Sequence, residues 1–298
     1  MLPYLLALRP WSFTASLVPL LLCAVSSATP PLPSLLLSCL SVLAAQSAGN
    51  LVNTSRDFSN NVDDPKLKGG DRTLVDKTIS PSAVATMSLV FGVLSLLLDF
   101  SSSYLSPPPL PSPYPLNPVH LAGLSLAVLY TAGPLPLKYN ALGDLTVLLS
   151  FGLLLPLYIS PSPPLPLLLP GALLTVAILQ GNNHRDLESD RAAGVRTLAT
   201  LLGPRLSGGY YRCLLFLSYL LPLFFLLAPG SFGLASLPAP AVRGCALGAL
   251  LTLPLAKPTL DGMEGKGKKD LDEDTAKLHT AHGVAGIVGF VAGGYFGA

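Results

Sequence analysis

The sequence predicts an all-α membrane protein of nine transmembrane helices, and three observations carry that expectation. Of its 298 residues, 50% are hydrophobic and 11% charged, with a mean hydropathy of +0.57, far from the composition of a soluble domain. Apolar stretches of roughly 18 to 25 residues, each able to cross about 30 Å of hydrocarbon as a helix, recur from end to end. The charged residues sort onto alternate connections between these stretches.

In chain order the nine spans are expected near residues 11–28, 34–53, 82–104, 119–133, 142–159, 165–182, 208–227, 232–256 and 276–298. They are continuously apolar and rich in Leu, without the alternation of outer-membrane strands, which favours helices over a barrel. The remaining connections leave no room for a soluble domain, so 1–298 reads as one transmembrane domain. The first span opens on Arg9-Pro10-Trp11 and reads as retained rather than cleaved. Cys23, Cys39, Cys213 and Cys245 stand singly in apolar segments, without metal-ligand spacing, and read as buried thiols. A net charge of +2 makes no case for nucleic acid.

Placement of the charges gives a topology. The N-terminus and the connections after spans two, four, six and eight, with their flanking turns, carry every Lys and Arg except Arg243 and every acid except Asp99. The other connections are short or built of Pro, Ser and Leu, as at 107–118 and 160–170. A miscounted span would scramble this alternation, so it supports nine crossings independently of hydropathy. Positive charge marks the cytoplasmic side, which puts the N-terminus inside.

Two acidic clusters stand out on that charged face. After span two come Asn53, Asp57 and, beyond a turn-favouring Ser59-Asn60-Asn61, Asp63. After span six, Asn182, Asp186 and Asp190 recur every four residues, on one stripe if the helix continues. Either cluster alone reads as a solvated helix end. Together, each with an amide one turn before its acids, they offer hard oxygen ligands suited to Mg²⁺, which takes few carboxylates and completes its shell with phosphate oxygens. Arg72-Thr73-Leu74 and Arg196-Thr197-Leu198 follow the two clusters as an internal echo of two related halves, and their Arg side chains suit a diphosphate. Lys138, the sole cation between spans four and five, stands among apolar residues and calls for an anion.

At these residues the chain resembles the UbiA-type intramembrane aromatic prenyltransferases. The resemblance covers nearly the whole chain. It rests on Arg9-Pro10-Trp11-Ser12, the Asn53-x3-Asp57-x5-Asp63 motif, Asp71-Arg72-Thr73-Leu74-Val75-Asp76, Tyr130 through Lys138-Tyr139, Gly143-Asp144, Asn182-Asn183-His184-Arg185-Asp186-x3-Asp190 and Thr275-Ala276-Lys277-Leu278. The five-residue gap before Asp63 and the Asn-Asn-x-Arg-Asp run are similar to the naphthoquinone, menaquinone-making branch, animal type. Thr54 departs from the pattern where many relatives carry a second Asp.

The resemblance implies a UbiA-like bundle of nine helices around a central cavity, with loop caps over the Asp motifs on the cytoplasmic face. It implies Mg²⁺-assisted loss of diphosphate from an allylic carbon and attack by an electron-rich ring, hence an isoprenoid diphosphate, a quinol-type aromatic acceptor and membrane lipid as partners. On that basis Asn53, Asp57, Asp63, Asp186 and Asp190 serve metal and diphosphate, with Asn182 beside them. Arg72, Lys138 and Arg196 are the diphosphate cations, Tyr130 and Tyr139 steady the allylic cation, and Arg9 and Trp11 border the acceptor. The implied role is vitamin K-type menaquinone synthesis with a geranylgeranyl donor, in endoplasmic reticulum or Golgi membrane, or alternatively a mitochondrial or plastid membrane. Dihydroxynaphthoate, homogentisate or 4-hydroxybenzoate are the sister acceptors. An ion-coupled transporter and a non-catalytic isoprenoid-diphosphate sensor are the rival classes. His279 and His282 read as interfacial, His184 as a spacer and 257–277 as a mobile solvated loop, while Asp99 has no role in this reading.

Overall fold

The computed structural model describes residues 2–27, 30–60, 72–108, 116–262 and 270–296. Among them every named element is helical. The helices are α1 (Leu2–Ala7), α2 (Thr14–Ser26), α3 (Leu32–Ser59), α4 (Pro81–Leu105), α5 (Pro118–Leu129), α6 (Gly143–Leu149), α7 (Leu155–Ile159), α8 (Leu165–Arg185), α9 (Leu187–Ala192), α10 (Leu198–Leu227), α11 (Ala239–Leu251), α12 (Lys257–Gly262) and α13 (Leu271–Phe296).

Four of these, α3, α4, α8 and α10, are long and apolar enough to cross a membrane, and six crossings result when each bent pair counts as one. The pairs are the N-terminal elbow of α1 and α2, bent by 49°, and α11 with the segment to Gly262, bent by 42°. The molecule is an integral membrane protein. Where crossings are irregular, the sequence supplies the cause. Arg9 takes a left-handed conformation (φ 54°) at the α1–α2 elbow, just before Pro10. Between α6 and α7 the residues Ser150–Leu154 form a wide π turn, next to Pro156, which has no N–H to return to Gly152. In α10, Gly203 (φ 74°) followed by Pro204 kinks the helix near its start.

Several expected boundaries move. The crossing expected at 232–256 starts as helix only at Ala239, because Phe232 and Gly233 turn through positive φ. The run 257–277 carries α12 and the first turns of α13, so it is not loop throughout. Residues 263–269 lie outside the described residues.

The bundle packs α3 along α4, α10 along α8, and α11 along α13. The last pair touches through glycine. A methyl group on Gly248 would fall 2.1 Å from the Ala285 carbonyl oxygen, and one on Gly244 2.0 Å from that of Gly289. Lipid-embedded helices approach this closely only where side chains vanish, and their attraction then comes from direct backbone contact. Against α8 and α10 sit the two histidines expected at the membrane edge. His279 is fully buried beside Thr175 Oγ1 at 3.2 Å, and His282 packs edge-on to Tyr219. Both are core residues, not interfacial ones. Of the four cysteines, Cys23 and Cys245 are buried and Cys39 half-buried, whereas Cys213 is exposed, against expectation.

Candidate active site

One cavity of about 410 Å³ lies within the bundle, walled by the elbow, α3, α5, the α6–α7 crossing, α8 and the start of α13. Its polar end collects both acidic clusters. α3 runs on to Ser59, so Asn53 and Asp57 share a helical face as their spacing predicts. α8 stops at Arg185 and α9 begins at Leu187. The expected unbroken stripe therefore bends at Asp186, although Asp186 N to Asn182 O and Asp190 N to Asp186 O, at 3.0 and 2.8 Å, carry the register across. Asn182, Asp186 and Asp190 all face the same cavity as Asn53 and Asp57.

Each cluster is clasped by a cation. Lys138 Nζ donates to Asp57 Oδ2 at 2.7 Å, and Tyr139 Oη donates to Oδ1 at 2.7 Å. In the orientation that satisfies its amide, Asn53 adds a donor to Asp57 Oδ2 at 3.0 Å and accepts from Arg9 at 3.2 Å. Across the cavity Arg185 donates to both carboxylate oxygens of Asp186 at 2.8 Å, and also to Asn182 and to Asp272 of α13. Asp190 lies within reach of both groups. Burial pushes its carboxyl up to about 7, Asp186 and Asp57 add to the rise, and Lys138 and Arg185 oppose it.

The remaining expected residues divide. Arg9, Trp11, Arg72 and Tyr130 line the cavity. Arg72 also pairs with Asp76 at 2.8 Å. Arg9 donates to Thr54 Oγ1 at 3.0 Å, while its Nε is buried without a partner among the described residues. Tyr139 and Arg196 are not part of the lining. The Tyr139 ring was expected to face an allylic cation, but its hydroxyl is engaged by Asp57. Arg196 was expected to hold diphosphate, but its side chain is exposed, and its contribution is a backbone bond from Ala141 N at 2.7 Å that pins the Lys138 loop to the α9–α10 connection. Thr197 opens α10 as a capping-box residue with Thr200. Asp63 lies outside the described residues.

Sequence reasoning passed over three participants. Arg185 sits inside the second motif and went unassigned. Asp272 and Glu273 were absorbed into the charged 257–277 run, yet both line the cavity. An Asp272 one residue into a long apolar helix, unlike its loop neighbours, was the available signal. His184, read as a spacer, is buried and bonded through Nδ1 to Ser207 Oγ at 2.9 Å.

Acids held by cations at one end of a membrane cavity make a candidate anion- and metal-handling site. Comparison with known proteins shows the family. Residues 12–256 match the model of the UbiA prenyltransferase family. The chain belongs to this family. It is 40% identical over 97% of its length to human UbiA prenyltransferase domain-containing protein 1, covering 83% of that protein. Over the same share of the chain it is 38% identical to the Danio rerio protein of that name, again covering 83% of it. Among solved structures, a UbiA homolog from Archaeoglobus fulgidus bound to DMAPP and Mg2+ superposes with a TM-score of 0.61 at 18% identity, covering 96% of this chain and 99% of that one. An apo UbiA homolog from Aeropyrum pernix K1 gives 0.65 at 16% identity, covering 95% and 96%. The family's fold thus spans nearly the whole chain.

Proposed function

We propose that the chain transfers a prenyl group from an isoprenoid diphosphate to a naphthoquinol-type aromatic acceptor, with Mg²⁺, as a step of menaquinone synthesis. The observation that carries this reading is the convergence of Asp57, Asp186 and Asp190 with Lys138, Arg185 and Arg72 at one end of a cavity whose other walls are largely apolar.

The donor set fits a hard divalent cation. Asp190 is buried next to two further carboxylates and holds its proton up to about pH 7, the behaviour of acids gathered for a cation. Among the described residues no three acids or imidazoles close on one point. This suits an ion that relies on phosphate oxygens for the rest of its shell. Asn53, Asp57, Asp186 and Asp190 would hold it and its diphosphate, directly or through water, with Asp63 completing the first motif. Bound there, magnesium supplies the positive charge that makes diphosphate a good leaving group.

The chain's own residues supply the rest. Lys138, Arg185 and Arg72 present ammonium and guanidinium donors to the departing phosphate oxygens, Arg185 in the forked geometry it now uses on Asp186. Tyr130 offers a ring face to the allylic carbon as positive charge develops. Apolar walls, including Leu126, Ala127, Phe151 and Leu179, exclude water that would quench it.

The acceptor lies against the elbow. There Ser12 accepts from Gln46 Nε2 at 3.0 Å and from Asn50 Nδ2 at 3.2 Å, a polar patch beside Trp11. The Nε of Arg9, unpartnered among the described residues, gives a quinol oxygen a donor. We further propose nine crossings: the elbow with α2, α3, α4, α5, α6–α7, α8, α10, α11–α12 and α13, with the acidic end and the N-terminus cytoplasmic.

The test is to incubate the purified protein in membranes with Mg²⁺, geranylgeranyl diphosphate and a panel of naphthoquinol, dihydroxynaphthoate, homogentisate and hydroxybenzoate acceptors. Prenylated naphthoquinol is expected, and it disappears in Asp57→Asn and Asp186→Asn. Normal turnover in both variants rejects the metal assignment, and a product with another ring reassigns the acceptor.

A further inference from the structure

The two acidic motifs do not account for every carboxylate on the cavity. Asp272, in the first turn of α13, lines it as well. Nε and Nη2 of Arg185 donate to the two oxygens of Asp186 at 2.8 Å each, and Nη1 donates to Asp272 Oδ1. One guanidinium thus lies between two carboxylates, and the trio keeps one negative charge. The three side chains are sheltered, with Arg185 12%, Asp186 21% and Asp272 20% exposed, so solvent screens them only in part.

Asp272 is placed by contacts that do not involve Arg185. One turn before Arg185, α8 carries Gly181, where a methyl group would lie 3.3 Å from Leu271 Cγ and 3.5 Å from Asp272 N. That bare face lets the start of α13 settle against α8. On its other side, Tyr211 Oη of α10 lies 2.6 Å from Thr275 Oγ1, which itself donates to the Leu271 carbonyl oxygen. Leu271 and Thr275 are both buried. The backbone that carries Asp272 is therefore fixed by packing, not drawn in by charge. An acid that served only the dipole of the helix start could face water. Asp274 of the same turn does so, pairing with the exposed Lys277 at 3.0 Å.

A guanidinium forked on Asp186 competes with a metal ion for that carboxylate. With Asp186 as its sole counter-charge, Arg185 would spend its whole charge there, and a divalent cation would meet an occupied ligand and a like charge. A second carboxylate divides that pull. We infer that Asp272 is a positioning residue of the metal site, the counter-ion that shares Arg185 and so keeps Asp186 available to a divalent cation. The inference rests on the metal reading given above, in which Asp186 is a ligand, and Asp272 acts through Arg185.

The experiment titrates Mn²⁺, a paramagnetic stand-in for Mg²⁺, into the purified chain in detergent and follows the free ion by electron paramagnetic resonance. Wild type, Asp272→Asn, Asp272→Glu and Asp274→Asn are compared, and Mg²⁺ activation of prenyl transfer is measured on the same samples. The midpoint of either curve does not depend on how much of the protein is folded. Asp272→Asn is expected to raise both midpoints about tenfold, the effect of losing a group that supports a metal ligand, with turnover recovering at high Mg²⁺. Asp272→Glu keeps the charge and stays near the wild-type midpoints. Asp274→Asn removes the same charge from the same turn but from its outer face, and leaves them unchanged. Wild-type midpoints in Asp272→Asn, or an equal rise in Asp274→Asn, overturn the inference. Absence of both Mn²⁺ binding and prenyl transfer in wild type instead overturns the metal reading on which it rests.

Discussion

Replacing Lys138 with methionine keeps the aliphatic stem and removes the charge that sits 2.7 Å from Asp57 Oδ2. The pair is sheltered, with the two side chains 13% and 5% exposed, so solvent screens it only in part. Stripping one partner from a buried pair costs about 3–5 kcal/mol when the other charge is left alone. Here Asp57 keeps Tyr139 Oη at 2.7 Å and Asn53 Nδ2 at 3.0 Å, which puts the loss near the lower end, about 3 kcal/mol. For the reaction, losing one charged donor to a developing anion lowers kcat by about 10²–10³. Lys138 has a second effect, because it opposes the rise of the Asp190 carboxyl to about 7. Without it that carboxyl moves further up, and Asp190 stays protonated over a wider range of pH. At limiting Mg²⁺ the acid limb of the rate profile therefore shifts to higher pH. The assay is the initial rate of prenyl transfer at limiting Mg²⁺, across pH values on both sides of that limb, for wild type, Lys138→Met and Lys138→Arg. The arginine variant keeps the charge and should keep the limb in place. A methionine variant within a few-fold of wild type, with an unmoved limb, would refute the argument.

Other expectations follow from the same geometry. Arg185→Lys loses the fork on Asp186 and the reach to Asp272, and is expected to lower kcat by about 10²-fold, measured with the same donor and acceptor. Without metal, the folded chain holds the Asp190 proton up to about pH 7, whereas an unfolded Asp releases it near 3.9. The apo protein therefore loses stability as pH rises through that window. Thermal unfolding in detergent should show a falling midpoint, and Asp190→Asn should flatten it. Gly248→Ala drives a methyl into the Ala285 carbonyl at 2.1 Å. It should separate α11 from α13 and cost about 1–3 kcal/mol, as overpacking does, read as a lowered unfolding midpoint; an unchanged midpoint would mean that the seam yields freely.

Much of this molecule is legible in the chain because lipid allows few solutions. Long apolar runs must be helices, and acids at helical spacing must share a face, so Asn53 with Asp57 and the Asn182, Asp186, Asp190 series came from spacing alone. Lys138 was expected to seek an anion, and it meets Asp57. What spacing does not carry is which distant segments meet. Arg196 has the sequence context of a ligand residue, but the turn at Gly194 (φ 72°) precedes a stretch in which its backbone, not its side chain, is engaged. Asp272 was hidden because a carboxylate inside a charged run looks solvated until Arg185 is seen to reach it. His279 and His282 looked interfacial because imidazole is polar, yet helix packing buries both. Asp99 made no sense one-dimensionally, since its partners are 18 and 59 residues away.

The bare contact between α11 and α13 reaches the chemistry by an indirect route. Asp272 opens α13, and Gly248 leans on that helix at Ala285, thirteen residues along, about 20 Å away. A helix behaves as a stiff lever over that distance. Any side chain that pries the seam apart tilts the lever and drags Asp272 from Arg185, so a lesion among lipid tails would register as a fault in leaving-group departure.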